Sequence, residues 1–328
     1  MELIKPSVEI WEQGTTLEDM WKHIARCTRV CYQSTPKENG ETDEDFVKRV
    51  ILRTNSSTGR LDFDKIHGAM LEHGTVYLLI PSDEKNKFVY KSKYENNKYS
   101  KVNYFVGING LILDSSPLFI TTNLRVIYEN NWLNDLDFVV SPFPNHTKRV
   151  TVSFTTNIGV TREFNRHRVD SIAEESTRYC NYNKRNDCQI KIGLPAWLLD
   201  DEHLPYIEGH TFDDVEDYAT GILNQESDEL ASTWCDMDFY LCALTFSQWC
   251  YNMLIRKGWK PQQAREVLPL ATKSQLIHTA FVDDWIHFFK LRAFGVSGPP
   301  HPNAKLVARP LVEQFEKLGY ITPNTNVG

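Results

Sequence analysis

The sequence predicts an α+β fold, a twisted and mainly antiparallel sheet with helices packed on both sides. Three observations point there. Arg149 to Thr156 (RVTVSFTT) alternates apolar and polar residues with a period of two, and GTVYLLI at 74–80 is a second β run. Two long segments, 16–31 and 227–257, repeat apolar residues at helical spacing. No GxGxxG opens a βαβ unit and there is no P-loop, so a doubly wound nucleotide-binding sheet is not indicated. With 328 residues, 41% hydrophobic and 12% aromatic, the chain is long enough for one large domain or two ordinary ones, and a single domain spanning 1–328 is the expectation.

Taken in order, the chain opens with a β-like run from Leu3 to Ile10. A helix from Thr16 to Cys31 follows, with Leu17, Met20, Trp21, Ile24 and Cys27 on one side. Cys27 and Cys31, one turn apart, read as small buried residues rather than a metal pair. Residues 35–60 are polar and turn-rich around a helix near Asp43 to Arg53. His67, Glu72 and His73 (IHGAMLEH) lack HExxH spacing and a further ligand, so no metal is expected. Residues 81–148 are rich in Asn, Tyr, Lys and Asp, with a better-ordered stretch at Leu118 to Trp132. There NKFVYKSKYENNKYSKVNYF mixes basic and aromatic residues as a single-strand nucleic-acid groove does, but acidic residues dilute it. A solvated β-hairpin or a subunit-contact insertion at about 80–148 is the expectation.

After the strand at 149–156, Gly159 marks a break, and VTREFNRHR reads as a helix whose last turn carries Arg166, His167 and Arg168. A helix from Ser227 to Lys257 has the apolar stripe Leu230, Trp234, Met237, Leu241 and Leu244, with Gly258 as its C′ residue. Pro261 opens a short helix with Arg265, ended by Leu268-Pro269. A last long helix from Thr272 to Arg292 is expected to turn Ile277, Phe281, Trp285 and Phe288 inward. GVSGPPHP at 295–302 is a loop, and Pro310 bends the helix that follows it.

Charge and cysteines limit the function classes. A net charge of −7 argues against general affinity for nucleic acid or an anionic membrane, so anion recognition has to be local. Seven cysteines, an odd number with no C-x-x-C, and no secretory signal lead to an expectation of reduced thiols in the cytoplasm. The apolar runs fall short of a membrane span.

The local concentration of cations lies at Thr161 to Tyr182, TREFNRHRVDSIAEESTRYCNY. It holds Arg162, Arg166, Arg168 and Arg178 around His167, with Glu163, Glu174 and Glu175 between them. Guanidinium forks grip phosphate and carboxylate in two-pronged fashion, whereas exposed Arg–Glu pairs on a helix surface contribute little. Three successive large polar side chains cannot share one face of a helix or strand, so Arg166, His167 and Arg168 point at different parts of a ligand.

The order Arg166-His167-Arg168, seven residues, then Ser176 resembles the RHR-x7-S signature of the flavin-dependent thymidylate synthases. H-x5-H at 67–73, AREVLPL at 264–270 and FFKLR at 288–292 are similar to other landmarks of that family, in the same order. The likeness covers most of the chain outside roughly 80–148. It implies a homotetramer with active sites shared between subunits. It also implies reductive methylation of dUMP to dTMP, with methylenetetrahydrofolate as carbon donor, FAD as hydride carrier and NADPH as reductant, and no enzyme nucleophile.

Carried onto this chain, the resemblance gives dUMP to Glu163, Arg166, Glu174, Ser176, Arg178, Arg265 and Arg292. Among these Arg292, Arg178 and Ser176 are the catalytic candidates, with Arg292 polarising the uracil and Ser176 holding phosphate. FAD falls to His67, Glu72, Arg166, His167, Arg168, Val169 and His287. The family places a phosphate-contacting serine near Cys31 or Ser34. Glu163 stands where many relatives have glutamine, Ala69 where many have threonine, and Phe281 and His287 where they have asparagines. The departures at Glu163, Phe281 and His287 motivate a 5-hydroxymethyl product as an alternative. A non-catalytic nucleotide-binding assembly protein is the other, motivated by the insertion.

Overall fold

The computed structural model describes residues 1–36, 40–53, 68–83, 85, 87–105, 116–184, 189–199, 232 and 234–322. In chain order the strands are β1 (Glu2–Ile4), β2 (Ser7–Trp11), β3 (Thr75–Ile80), β4 (Lys101–Tyr104), β5 (Leu118–Asn123), β6 (Arg149–Asn157), β7 (Ser171–Glu174), β8 (Lys191–Gly193) and β9 (Lys273–Phe281). The α-helices are α1 (Leu17–Tyr32), α2 (Asp43–Val47), α3 (Lys87–Glu95), α4 (Leu124–Glu129), α5 (Ile158–Phe164), α6 (Asp236–Arg256), α7 (Pro261–Ala264), α8 (Val282–Phe289) and α9 (Pro302–Lys317).

The architecture is α+β, but its strands divide among three sheets rather than forming one. An antiparallel sheet of order β2-β6-β9-β7 occupies the centre. A second antiparallel sheet has the order β3-β5-β4, and β1 pairs with β8 in parallel. Val150, Val152 and Phe154 of β6 pack with Leu276 and Ala280 of β9 against Trp285, Phe288 and Phe289 of α8 and Val307, Leu311 and Phe315 of α9. The alternate residues of β6, Thr151 and Ser153, are also buried, because α1 covers that face. There the His23 ring bonds to the Thr151 hydroxyl at 3.0 Å, Thr151 to Thr279 at 2.7 Å, and Thr279 to the His73 ring at 2.8 Å.

Four expectations need correction. Lys273–Phe281 is strand, not the start of a helix, and only Val282–Phe289 is α-helical before a π-helical turn at Lys290–Phe294. A strand covered on both faces shows no period of two, so Ile277, Phe281, Trp285 and Phe288 imitated a helical stripe. The segment at about 80–148, expected as a solvated hairpin or a subunit-contact insertion, is no solvated hairpin: it contributes α3, β4, β5 and α4, and Tyr94, Leu118, Ile120, Leu124 and Ile127 share a core with Met20, Ile24, Val76 and Leu78. The helix before the RHR triplet stops at Phe164, and its start is set by Asn157, whose side chain accepts the Val160 N–H, with Gly159 inside the helix. Helix α6 begins at Asp236; Met237, Leu241 and Leu244 are buried as expected, Trp234 precedes the helix, and Ser227 and Leu230 lie outside the described residues. Among the described residues no helix is long and apolar enough to cross a membrane.

Candidate active site

The turn after α5 and the π-helical turn after α8 bring the first group of residues together. Because α5 ends at Phe164, Arg166, His167 and Arg168 fall on a turn between helix and β7, where their side chains diverge. His167 is buried against Phe288, ring centroids 4.8 Å apart, while Arg166 and Arg168 are exposed. The turn is tied down by Asp170, whose carboxylate meets the His278 ring of β9 at 2.8 Å with both side chains buried.

Arg292 reaches this turn and is held three ways. Nη1 donates to the Glu163 carboxylate at 3.2 Å, Nη2 to the Glu163 carbonyl at 2.8 Å, and Nε to Nε2 of His167 at 3.2 Å. To accept that last bond the imidazole has to be unprotonated at Nε2. Burial supplies the condition by pulling the His167 pKa down to about 4, with Arg292 and neighbouring histidines adding to the shift and Asp170 opposing it. A guanidinium has five N–H donors, so three protein bonds leave two for a ligand. Burial also lowers the Arg292 pKa, countered by Glu163 and reinforced by the charge of Arg166. Arg162, Glu163, Arg166 and Arg292 line one cavity of roughly 500 Å3. Three cations against one carboxylate make it an anion cavity.

A second group forms around the loop after β7. Arg178 is exposed and lies over the Tyr179 ring, while Arg265 reaches the loop by donating from Nη1 to the Thr177 hydroxyl at 3.3 Å. The Ser176 hydroxyl accepts the Arg178 N–H at 3.3 Å, which shapes the turn. Arg178 and Arg265 are not among the residues lining the Arg292 cavity. Glu174 sits between the groups, accepting from Asn165 at 2.9 Å and from Ser274 at 3.1 Å. Thus Glu163, Arg166, His167 and Arg292 come together in this chain, Ser176, Arg178 and Arg265 come together separately, and Glu174 links them.

The remaining candidates lie elsewhere. His67 is outside the described residues. Glu72 is half-buried and paired with Arg125 of α4. Arg168 and Val169 line a small cavity of about 110 Å3 with Phe281, and exposed His287 packs its ring 6.0 Å from that of His167. Phe281, in place of asparagine, offers a ring face to Arg149 and Lys101.

Sequence reasoning missed a third cavity of roughly 870 Å3, lined in part by Ser34, Glu175, Tyr182, Lys191 and Lys273. Buried Glu175 pairs with Lys273 at 2.5 Å and accepts from Tyr182 at 3.4 Å. Glu175 is next to Glu174 in the motif, but nothing local in the sequence announces Lys273. Cys31 lends its carbonyl to the Ser176 N–H, and burial pushes its thiol up to about 11, so it stays protonated.

A family model described as thymidylate synthase complementing protein matches residues 143–318. No curated protein matches the chain. Among solved structures, the UMP/dUMP methylase PolB from Streptomyces cacaoi bound with 5-Br dUMP is 15% identical, with 97% of this chain and 93% of that one covered and a TM-score of 0.38. At that identity and score the likeness carries no argument. The family match takes in more than half of the chain, including the RHR turn, the Ser176 loop, Arg265 and Arg292, and the chain belongs to the flavin-dependent thymidylate synthase complementing protein family.

Proposed function

We propose that this single-domain chain is a thymidylate synthase that methylates dUMP at C5, with methylenetetrahydrofolate as carbon donor, NADPH as reductant and FAD as cofactor. One observation carries the reading: Arg292 is clamped by Glu163 and neutral His167 at the wall of an anion cavity, with two N–H donors left over. Methylation at C5 passes through an enolate-like uracil, and a fixed guanidinium stabilises charge that develops on its oxygens. Arg166 and Arg162 supply the further positive field that a nucleotide phosphate requires.

Arg178, Arg265 and the backbone around Ser176 make the second grip on dUMP, drawn from another copy in a homotetramer. Ser176 positions rather than attacks: its hydroxyl is engaged by the Arg178 N–H and has no histidine partner among the described residues.

The donor set fits the phosphate-bearing part of a flavin dinucleotide. Arg168 is exposed, makes no ion pair among the described residues, and opens with Val169 onto the 110 Å3 cavity. Arg168, Val169, His167 and His287 would hold the flavin, which supplies hydride transfer when bound. Glu72, which the resemblance also gives to FAD, would have to share its carboxylate with Arg125.

The test is spectroscopic. The purified protein is expected to be yellow or to take up added FAD, and to release tritium from 5-tritiated dUMP only when folate and reductant are both present. Protein that neither carries nor takes up FAD would sink the proposal. Mass spectrometry of the nucleotide separates a methyl from a 5-hydroxymethyl product.

A further inference from the structure

The small cavity beside Arg168 has walls that come from two parts of the chain. Arg168, Val169, Phe281 and Asp284 come from the family-matched segment, as does Arg149 at the start of β6; Lys98, Tyr99 and Lys101 come from the insertion. Four cations thus face one carboxylate, Asp284. No ion pair among the described residues involves any of the four. Arg149 is buried, and its hydrogen bonds go only to neutral groups: the Glu72 carbonyl, the Thr75 hydroxyl and the Ser171 hydroxyl. A buried guanidinium without a counter-charge is costly. Burial accordingly pulls its pKa down to about 10, against the pull of Tyr77, Glu72, Asp284 and Asp170.

Lys101 and Arg149 both lie over the Phe281 ring, at 5.7 and 5.5 Å, so the ring spaces two cations at the cavity wall. A volume of about 110 Å3 is well below the roughly 300–1,000 Å3 of a whole ligand site, so it takes a part of a ligand rather than all of it. The insertion touches the same neighbourhood again through Arg125, which pairs with Glu72 next to the carbonyl that holds Arg149.

We propose that the insertion completes an anion subsite, in which Lys98 and Lys101 join Arg149 and Arg168 to take the diphosphate of a dinucleotide. A diphosphate diester carries two negative charges, and the site has a surplus of three positive ones. On this assignment the lysines select for ligands with a diphosphate over mononucleotides. The anion site stands on its own geometry; which dinucleotide fills it, FAD or NADPH, rests on the proposed function.

Inorganic pyrophosphate is the probe, titrated calorimetrically into the full chain without flavin, folate or nucleotide. The wild type is expected to bind it with an affinity that falls as salt rises. The variant K98Q/K101Q is expected to bind about tenfold more weakly or worse, the loss of one or two charge-assisted contacts. D284N, which removes the opposing carboxylate, is expected to bind about threefold more tightly, a gain that a misfolded variant cannot produce. FAD or NADPH should displace pyrophosphate, and whichever does so identifies the dinucleotide. Unchanged affinity in K98Q/K101Q, weaker binding in D284N, or displacement by dUMP alone would each overturn the assignment. Pyrophosphate binding in a protein that takes up no flavin would keep the anion site and remove the thymidylate synthase reading.

Discussion

Glu163 and Arg292 decide most at the scale of single residues. A carboxylate in the wall of an anion cavity looks out of place until its partner is seen, for Glu163 is what orients Arg292. Replacing Arg292 by lysine keeps a charge but loses the fork, so tritium release from labelled dUMP should fall about 100-fold with the fold intact. A variant within a few-fold of wild type would remove Arg292 from the chemistry. Glu163→Gln keeps an acceptor for Nη1 and the backbone bond to Nη2 while removing a repulsive charge. The KM for dUMP should then drop about threefold in low salt. A raised KM would mean that the carboxylate is needed for position more than it repels.

Helix α5 is the element on which the site turns. Asn157 ends β6 and caps α5, so one side chain sets where the helix begins, and seven residues later the chain is released into the RHR turn. Asn157→Ala should cost about 1 kcal/mol in urea unfolding and lower activity more than an equal loss of stability elsewhere. Equal activity losses for N157A and a matched cap removal at another helix would show that the start of α5 does not position the turn. This element also shows how much was legible. The alternation of β6, the amphipathic α1 and the RHR–Ser176 spacing all stood in the sequence, because local period and short motifs need no partner. Strand β9 was hidden, since burial on both faces erases its period. The partners of Arg292, 125 and 129 residues away, belong to tertiary structure and leave no local trace.

At the scale of the whole molecule, buried histidines tie stability to pH: His23 and His73 in the polar seam between the central sheet and α1, and His167 in the RHR turn against Phe288. Burial lowers the pKa of His23 and His167 to about 4 each and that of His73 well below its ordinary value. In the unfolded chain all three return to about 6.5. The folded protein therefore keeps them neutral, and unfolding takes up protons. Their contribution is fully present above pH 6.5 and declines as pH falls toward 4, with a slope of about 1.4 kcal/mol per pH unit for each histidine. Urea unfolding at pH 7 and pH 5 checks this, and equal stability at the two values would mean that the rings are not held neutral.

The most direct measurement is tritium release from 5-tritiated dUMP by Arg178→Ala, by Arg292→Ala and by the two variants unfolded and refolded together, with folate, NADPH and FAD supplied throughout. Each variant alone is predicted to be inactive, and the mixture to regain activity, because some sites then receive the loop of one copy and the Arg292 cavity of another. A mixture as inactive as its parts, from a wild type that is active under the same conditions, would contradict a nucleotide gripped by arginines from two copies.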